Sequence, residues 1–473
     1  MEDNGKSETD HRPGWPQNLV DSMKTGWSKA TVDSSLIDGA AFYADRRREL
    51  AGAIQDCLLI VPAGEEKVRS NDTFYRFRAS SDFVYLTGCQ DPECVLIVGP
   101  GMWEDGVLYV PERRTAGEPG YYSDSQYGEL WVGARMGSQE ASARFGVKTA
   151  PKSQLMRDLL DAGSADKALI REVDEYLDLL IEPGPADFEL ESTLGEMRLT
   201  KDDHEIALLQ EAIDSSIRGF SDIGRVLAGG GASDMALSER VIEGVFSLRA
   251  RGEGNDVGYP TIAAAGPHAT TLHWTRNDGV LEPGSLLLVD AGVEGNGLYT
   301  ADITRTLPVG GKFSALQRRV YDIVLAAQRA GIEEVRPGAR FRDIHLAASR
   351  VLAQGLFELG VLAEDSDVTM QEDRQDYRRY TLHGTSHMLG LDVHDCASAR
   401  SEEYFGELRP GFVLTVEPGL YFQANDLTVP AELRGLGVRI EDDVLVTEDG
   451  CAVLSAGLPV DGDEIEAWMA SFA

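Results

Sequence analysis

Four carboxylates and a group of histidines stand at the ends of apolar runs, where a charge is costly unless something answers it. Asp290 follows Leu286, Leu287, Leu288 and Val289, and Asp302 comes shortly after in TADITRT. The EGNG between them has turn composition, so the two runs read as a hairpin that brings both aspartates to one place. For either aspartate alone, an exposed hairpin end remains the plain alternative. Glu417 closes the run VLTV and precedes Pro-Gly. In GVRIEDDVLVT, strand alternation puts Arg439, Glu441 and Asp443 on one face and Val438, Ile440, Asp442 and Val444 on the other. A salt-bridged surface strand is the alternative there. The chain has 8 histidines, and His383, His387 and His394 fall together in TLHGTSHMLGLDVHD. His383 and His387 have the spacing of HExxH, but Gly384 stands where the glutamate would be. Met388 likewise breaks a GxSxG reading around Ser386, which leaves a serine hydrolase without its motif. Four carboxylates and at least one imidazole suit two divalent cations better than one. Oxygen-rich ligation without thiolate favours a hard ion, manganese(II) first, with cobalt(II) or zinc(II) able to substitute.

The elements that must position these residues follow from periodicity. Ile206, Leu209, Ile213, Ile217, Phe220, Ile223 and Leu227 recur at helical spacing. Thr200 is the expected cap of that helix, with Asp203 three residues on, and Gly229–Gly231 end it. Ser233 is the expected cap of a second helix, to about Arg251, with further helices over 314–334 and 341–360. Strands fit 260–266, 285–291, 299–308, 411–421 and 436–447, giving an α+β domain. In the first half a helix near 40–55 leads into CLLIVPAG, and strands alternate with helical stretches, giving an α/β domain. Residues 112–137 read as an irregular excursion. IEPGPADFELEST has no legible period, so a boundary is placed at about 185–198. The expected division is an arm over 1–40, mobile apart from one short helix, an α/β domain over 41–190 and a catalytic domain over 198–473.

The 473 residues exceed one ordinary core. With 79 acidic against 44 basic residues, the formal charge of −35 repels phosphate backbones and anionic membranes, so neither nucleic acid nor membrane is an expected partner. No apolar run approaches a membrane span, and the polar opening MEDNGKSETDHRPGWP has no apolar stretch to act as a signal peptide. The 5 scattered cysteines fit reduced thiols in a cytoplasmic protein.

Taken in order, VDAG, ADITRT, HGTSH, TVEPG and VRIEDD resemble the aminopeptidase P and prolidase group of pita-bread metallopeptidases over roughly 200–456. RSNDTFYRFRASSDFVYLTG resembles that group's N-terminal domain. The resemblance implies a pita-bread catalytic domain preceded by a ribonuclease-H-like domain. It implies that Asp290, Asp302, His387, Glu417 and Glu441 hold two metals, bridged by Asp302 and Glu441. It assigns proton transfer to Glu417, stabilisation at the scissile carbonyl to His394, and pocket roles to His273 and His383, with Arg439 and Tyr421 supporting the ligands. On the chain alone His273 reads as structural; His11, His204, His268 and His345 have no match and keep that reading. The implied activity is release of the residue before a proline in second position, by a homodimer or homotetramer. Prolidase action on dipeptides, a metal-free creatinase-like enzyme and a non-catalytic relative are the competing readings.

Overall fold

The computed structural model describes residues 16–229 and 236–472. The chain divides into two compact units between Leu190 and Glu191. The first is built on a five-stranded sheet in the order Lys148–Pro151, Val107–Val110, Val95–Val98, Cys57–Pro62, Asp166–Leu169. The three central strands pair antiparallel, and each outer strand runs parallel to its neighbour. Every residue of Cys57–Pro62 and Val95–Val98 is buried. That is why CLLIVP and VLIV are continuous apolar runs rather than alternating ones. Beyond residue 15 the arm is not free chain. It forms the short helix Gln17–Met23, sets Trp27 edge-on to Tyr121 at 5.3 Å between ring centres, and ties Asp33 to Arg144 at 2.9 Å. The excursion that receives it is itself braced by a bidentate pair, Arg113 donating to Glu129 at 2.7 and 3.0 Å.

Residues Pro185–Leu199 form a helix spanning the division, although their sequence shows no period. Proline at the first helical position is tolerated because its missing N–H has no partner there in any case. The next helix, Asp203–Leu227, is capped by Asp202, not Thr200. The Asp202 carboxylate accepts from the N–H of Glu205, and the Glu205 carboxylate accepts from the N–H of Asp202. An acid three residues before a glutamate makes the reciprocal pair that Thr200 with Asp203 does not. Ala212, Ile213, Phe220 and Ile223 are buried against the helix Glu239–Glu253 and a sheet. Each of the three larger side chains contributes roughly 1.5–3 kcal/mol on burial. The expected cap Ser233 lies outside the described residues, and the helix begins instead after Ser238.

The sheet comprises Ile262–Ala265, Leu286–Ala291 and Ile303–Pro308, antiparallel, with Leu286–Ala291 central. Alternation divides the central strand. Leu287, Val289 and Ala291 enter the core with Phe220 and Phe246, while Leu288 packs with Ile262, Ala264 and Tyr421 on the opposite face, the face to which Asp290 belongs. A second sheet joins Val413–Val416, Asp442–Val446 and Cys451–Val453, and Gly419–Tyr421 pairs with Gly437–Arg439. The two long strands expected over 411–421 and 436–447 are thus each broken in the middle. Pro418 has no N–H to give a ladder, so Val416 pairs with Asp442, Gly419 with Arg439, and the chain turns between. The helices Ala315–Glu333 and Phe341–Glu358 pack behind as a pair. Among the described residues no helix is long and apolar enough to cross a membrane.

Candidate metal centre and active site

The site lies where these interrupted strands meet. Gly292 lets the hairpin close, because a Cβ there would overlap the Ala301 carbonyl. Asp290 and Asp302 come together in consequence, and the Tyr259 hydroxyl contacts both, reaching Asp290 Oδ1 at 2.7 Å and Asp302 Oδ1. The Glu441 N–H donates to Thr304 O at 3.1 Å, which fastens the second strand pair to the first. The Thr304 hydroxyl donates to Glu441 Oε2 at 2.6 Å. From the histidine segment, His387 O accepts from Thr415 N at 2.9 Å and Thr385 O accepts from Glu417 N at 2.8 Å. His387 Nε2 then lies 3.3 Å from Asp302 Oδ2 and 3.6 Å from Glu417 Oε1.

Ligating atoms of Asp302, His387 and Glu441 all lie within 4.8 Å of one another. Tyr259, Asp290, Asp302, His387, Glu417, Arg439 and Glu441 line one cavity of about 640 Å³, with His273, His383 and His394 on its walls. Nine residues singled out from the sequence line this cavity, and the tenth, Tyr421, lies beside them: its OH is 2.8 Å from His383 Nε2 and accepts from Arg439 at 3.0 Å.

Charge in this cavity does not balance. Four carboxylates face one guanidinium, Arg439, which donates to Asp290 Oδ2 at 2.5 Å, so acidic groups outnumber the permanent cation by three. Burial pushes Glu417 up to about 7, against the pull of His387 and Arg439. Burial, then the charges of Asp302 and Glu417, hold Glu441 well above the carboxylate range. Burial opposes a charge on His387, but its bond to Asp302 and the charge of Glu417 outweigh that and raise it to about 9. His387 Nδ1 lies 3.1 Å from Met388 O and donates to it, which leaves Nε2 turned to the acids. An imidazole nitrogen and carboxylate oxygens so arranged fit divalent cations: the donors are hard, buried and short of positive charge. Burial and the nearby Arg439 charge lower His383 to about 4, so its ring is neutral.

Three supporting residues were not found from the sequence. Tyr259 sits in GYPTI, with no periodicity and partners far along the chain. Thr304 and Arg305 read as ordinary strand residues. Arg305 is wholly buried and donates to Glu441 O at 2.6 Å, Asp442 Oδ1 at 2.8 Å and Pro459 O at 2.8 Å. The neighbouring acids Asp395, Asp442 and Asp443 are all buried as well.

Residues 207–448 match metallopeptidase family M24, and residues 43–169 match the aminopeptidase P N-terminal domain. The structure superposes on that of the Pseudomonas aeruginosa aminopeptidase PepP with a TM-score of 0.82 at 32% identity, covering 92% of this chain and 99% of that one. Zinc-substituted Escherichia coli aminopeptidase P in complex with product gives 0.80 at 31% identity, covering 93% and 100%. The fold is thus the pita-bread fold and the site that of a metal-dependent hydrolase. The chain belongs to metallopeptidase family M24. Among its relatives, Xaa-Pro aminopeptidase 1 of Streptomyces coelicolor is 49% identical over 97% of this chain and 93% of its own.

Proposed function

We propose that this enzyme releases the N-terminal residue from peptides with proline in second position, using two divalent metal ions, manganese(II) first, which Asp290, Asp302, His387, Glu417 and Glu441 would hold. The observation that carries the metal centre is the buried excess of carboxylate around His387. The proline preference is supported by the relatives named Xaa-Pro aminopeptidase. Residues 41–190 are the N-terminal domain of this reading and 198–473 the catalytic one. The five unpaired thiols support a reducing, cytoplasmic setting. A homodimer or homotetramer completes the reading and is tested by sedimentation.

Bound divalent ions supply Lewis-acid polarisation of the scissile carbonyl and bring the pKa of water toward neutrality. The protein supplies the rest. Glu417 takes a proton at a carboxylate oxygen from the attacking water and returns it to the leaving nitrogen. His394, whose ring centre is 4.5 Å from that of His387, stands where it meets negative charge developing on the carbonyl oxygen. His383 Nδ1 donates to Gly384 O at 2.7 Å, so Nε2 accepts from Tyr421, which in turn accepts from Arg439. That chain fixes the orientation of the His383 ring and of the guanidinium that neutralises Asp290. His273 also lines the cavity.

The test is direct. Manganese-loaded protein is incubated with an Arg-Pro-Pro tripeptide and longer proline-second peptides, and products are identified by mass. Free arginine is expected, with loss of activity on chelation and recovery with manganese(II). Cleavage confined to dipeptides makes it a prolidase, and full activity in metal-free protein removes the metal centre from the chemistry.

A further inference from the structure

Glu239, the first residue of the helix Glu239–Glu253, is fully buried and does not line the active-site cavity. Its carboxylate nevertheless takes four N–H donors from one loop. Oε1 accepts from Ala265 N and His268 Nδ1, both at 2.7 Å. Oε2 accepts from Trp274 Nε1 at 2.9 Å and Gly279 N at 2.6 Å. These donors span the loop: its two ends and two points within it. Gly279 is required there, since a Cβ would lie 2.8 Å from the carboxylate. The loop is also packed on itself, with His268 stacked on Trp274 at 3.9 Å. Between those two side chains run Leu272 and His273, which face the cavity.

Glu239, His268 and Asp278 lie close enough to suggest a second cation site, but the hydrogen bonds argue otherwise. Both carboxylate oxygens are already engaged by donors, and Asp278 pairs with Arg276 at 2.9 Å. A buried carboxylate so fully satisfied is a fastening. We propose that Glu239 is the positioning residue that holds the 265–279 loop and thereby sets His273 against the bound peptide. This deepens the peptidase reading and rests on it for the role of the cavity.

Glu239→Gln keeps the size but turns an NH2 group toward donors that have no lone pair to offer. The experiment is a double-mutant cycle of Glu239→Gln with His273→Ala, reading kcat and KM of the manganese-loaded enzyme on an Arg-Pro-Pro peptide, with bound manganese and amide hydrogen exchange measured on each protein. Glu239→Gln is expected to raise KM about tenfold with manganese content unchanged, and to add less than about twofold once His273 is alanine. Exchange should quicken over 266–279 and not elsewhere. Additive effects in the cycle, or a loss that tracks lost manganese, overturn the proposal. Trp274→Phe, which removes a single donor, is expected to shift KM the same way by less, and carries the cycle if Glu239→Gln fails to fold. If the wild-type enzyme leaves the peptide uncut, the peptidase reading fails, while the exchange data still show whether Glu239 holds the loop.

Discussion

Two buried acid clusters in the second unit are built on opposite plans. Around Asp395, Arg198 contacts both Asp395 and Asp392, the latter at 2.6 Å, and Lys201 Nζ reaches Asp395 at 3.1 Å. Burial works against the Asp395 charge, but Arg198 and Lys201 overcome it and hold the carboxyl well below its usual range. Around Glu417 and Glu441 the same carboxyl chemistry is pushed the other way. The difference is the supply of positive charge. A cluster that brings its own cations is framework; one that lacks them is built to receive something. The two are also joined. Asp395 follows His394 directly, and its N–H donates to Met388 O at 3.0 Å, so the closed cluster holds the segment that presents His387 and His394 to the open one.

That contrast can be broken by exchanging one oxygen in each cluster. Glu417→Gln is expected to lower kcat roughly 10²–10⁴-fold, while urea unfolding of the metal-free protein shows stability unchanged or raised, because a repulsive charge has gone. Asp395→Asn should leave two buried cations short of their partner and cost about 3–5 kcal/mol in the same unfolding measurement at pH 7. Comparable losses of stability from the two substitutions would erase the distinction. The Asp395 contribution has a depressed folded pKa, so it is present above the unfolded value of about 3.9 and is lost only as pH falls below it.

The smallest effect concerns the open cluster and has the opposite sign. Glu417 and His387 both have raised folded values, about 7 and about 9. Their contribution to stability is complete at low pH and fades as pH rises through those values. Metal-free protein is therefore expected to be more stable at pH 6 than at pH 8, by on the order of 1 kcal/mol. Saturating manganese(II), which takes the place of the protons, should abolish that slope. A metal-free protein that gains stability toward pH 8 would show the acids to be otherwise neutralised.

The residues of the open cluster were legible because each ends an apolar strand, a place where an acid is conspicuous. Asp290 after LLLV and Glu417 after VLTV are the clearest cases. The supports were not legible. Glu239 looks like any helix-opening glutamate, Tyr259 has no pattern around it, and Arg305 takes its meaning from carbonyls such as Pro459 O, far along the chain. The strands broken at Pro418 and Glu441 were read as continuous because alternation persists across the break while the pairing partner changes. Residues 185–199 hid their helix behind prolines. Local pattern carries the identity of an element, and long-range partners decide where it stops.

One consequence concerns residues that never touch the cavity. Glu441 is pinned through its N–H by Thr304 and through its carbonyl by Arg305, which also donates to the carbonyls of Leu458 and Pro459. The acid that completes the cluster is thus secured by backbone carbonyls that lie outside the cavity. Substitutions at Leu458 or Pro459, which contribute no side chain to the cavity, are therefore expected to weaken metal binding through Arg305, a loss that manganese titration of each variant would read.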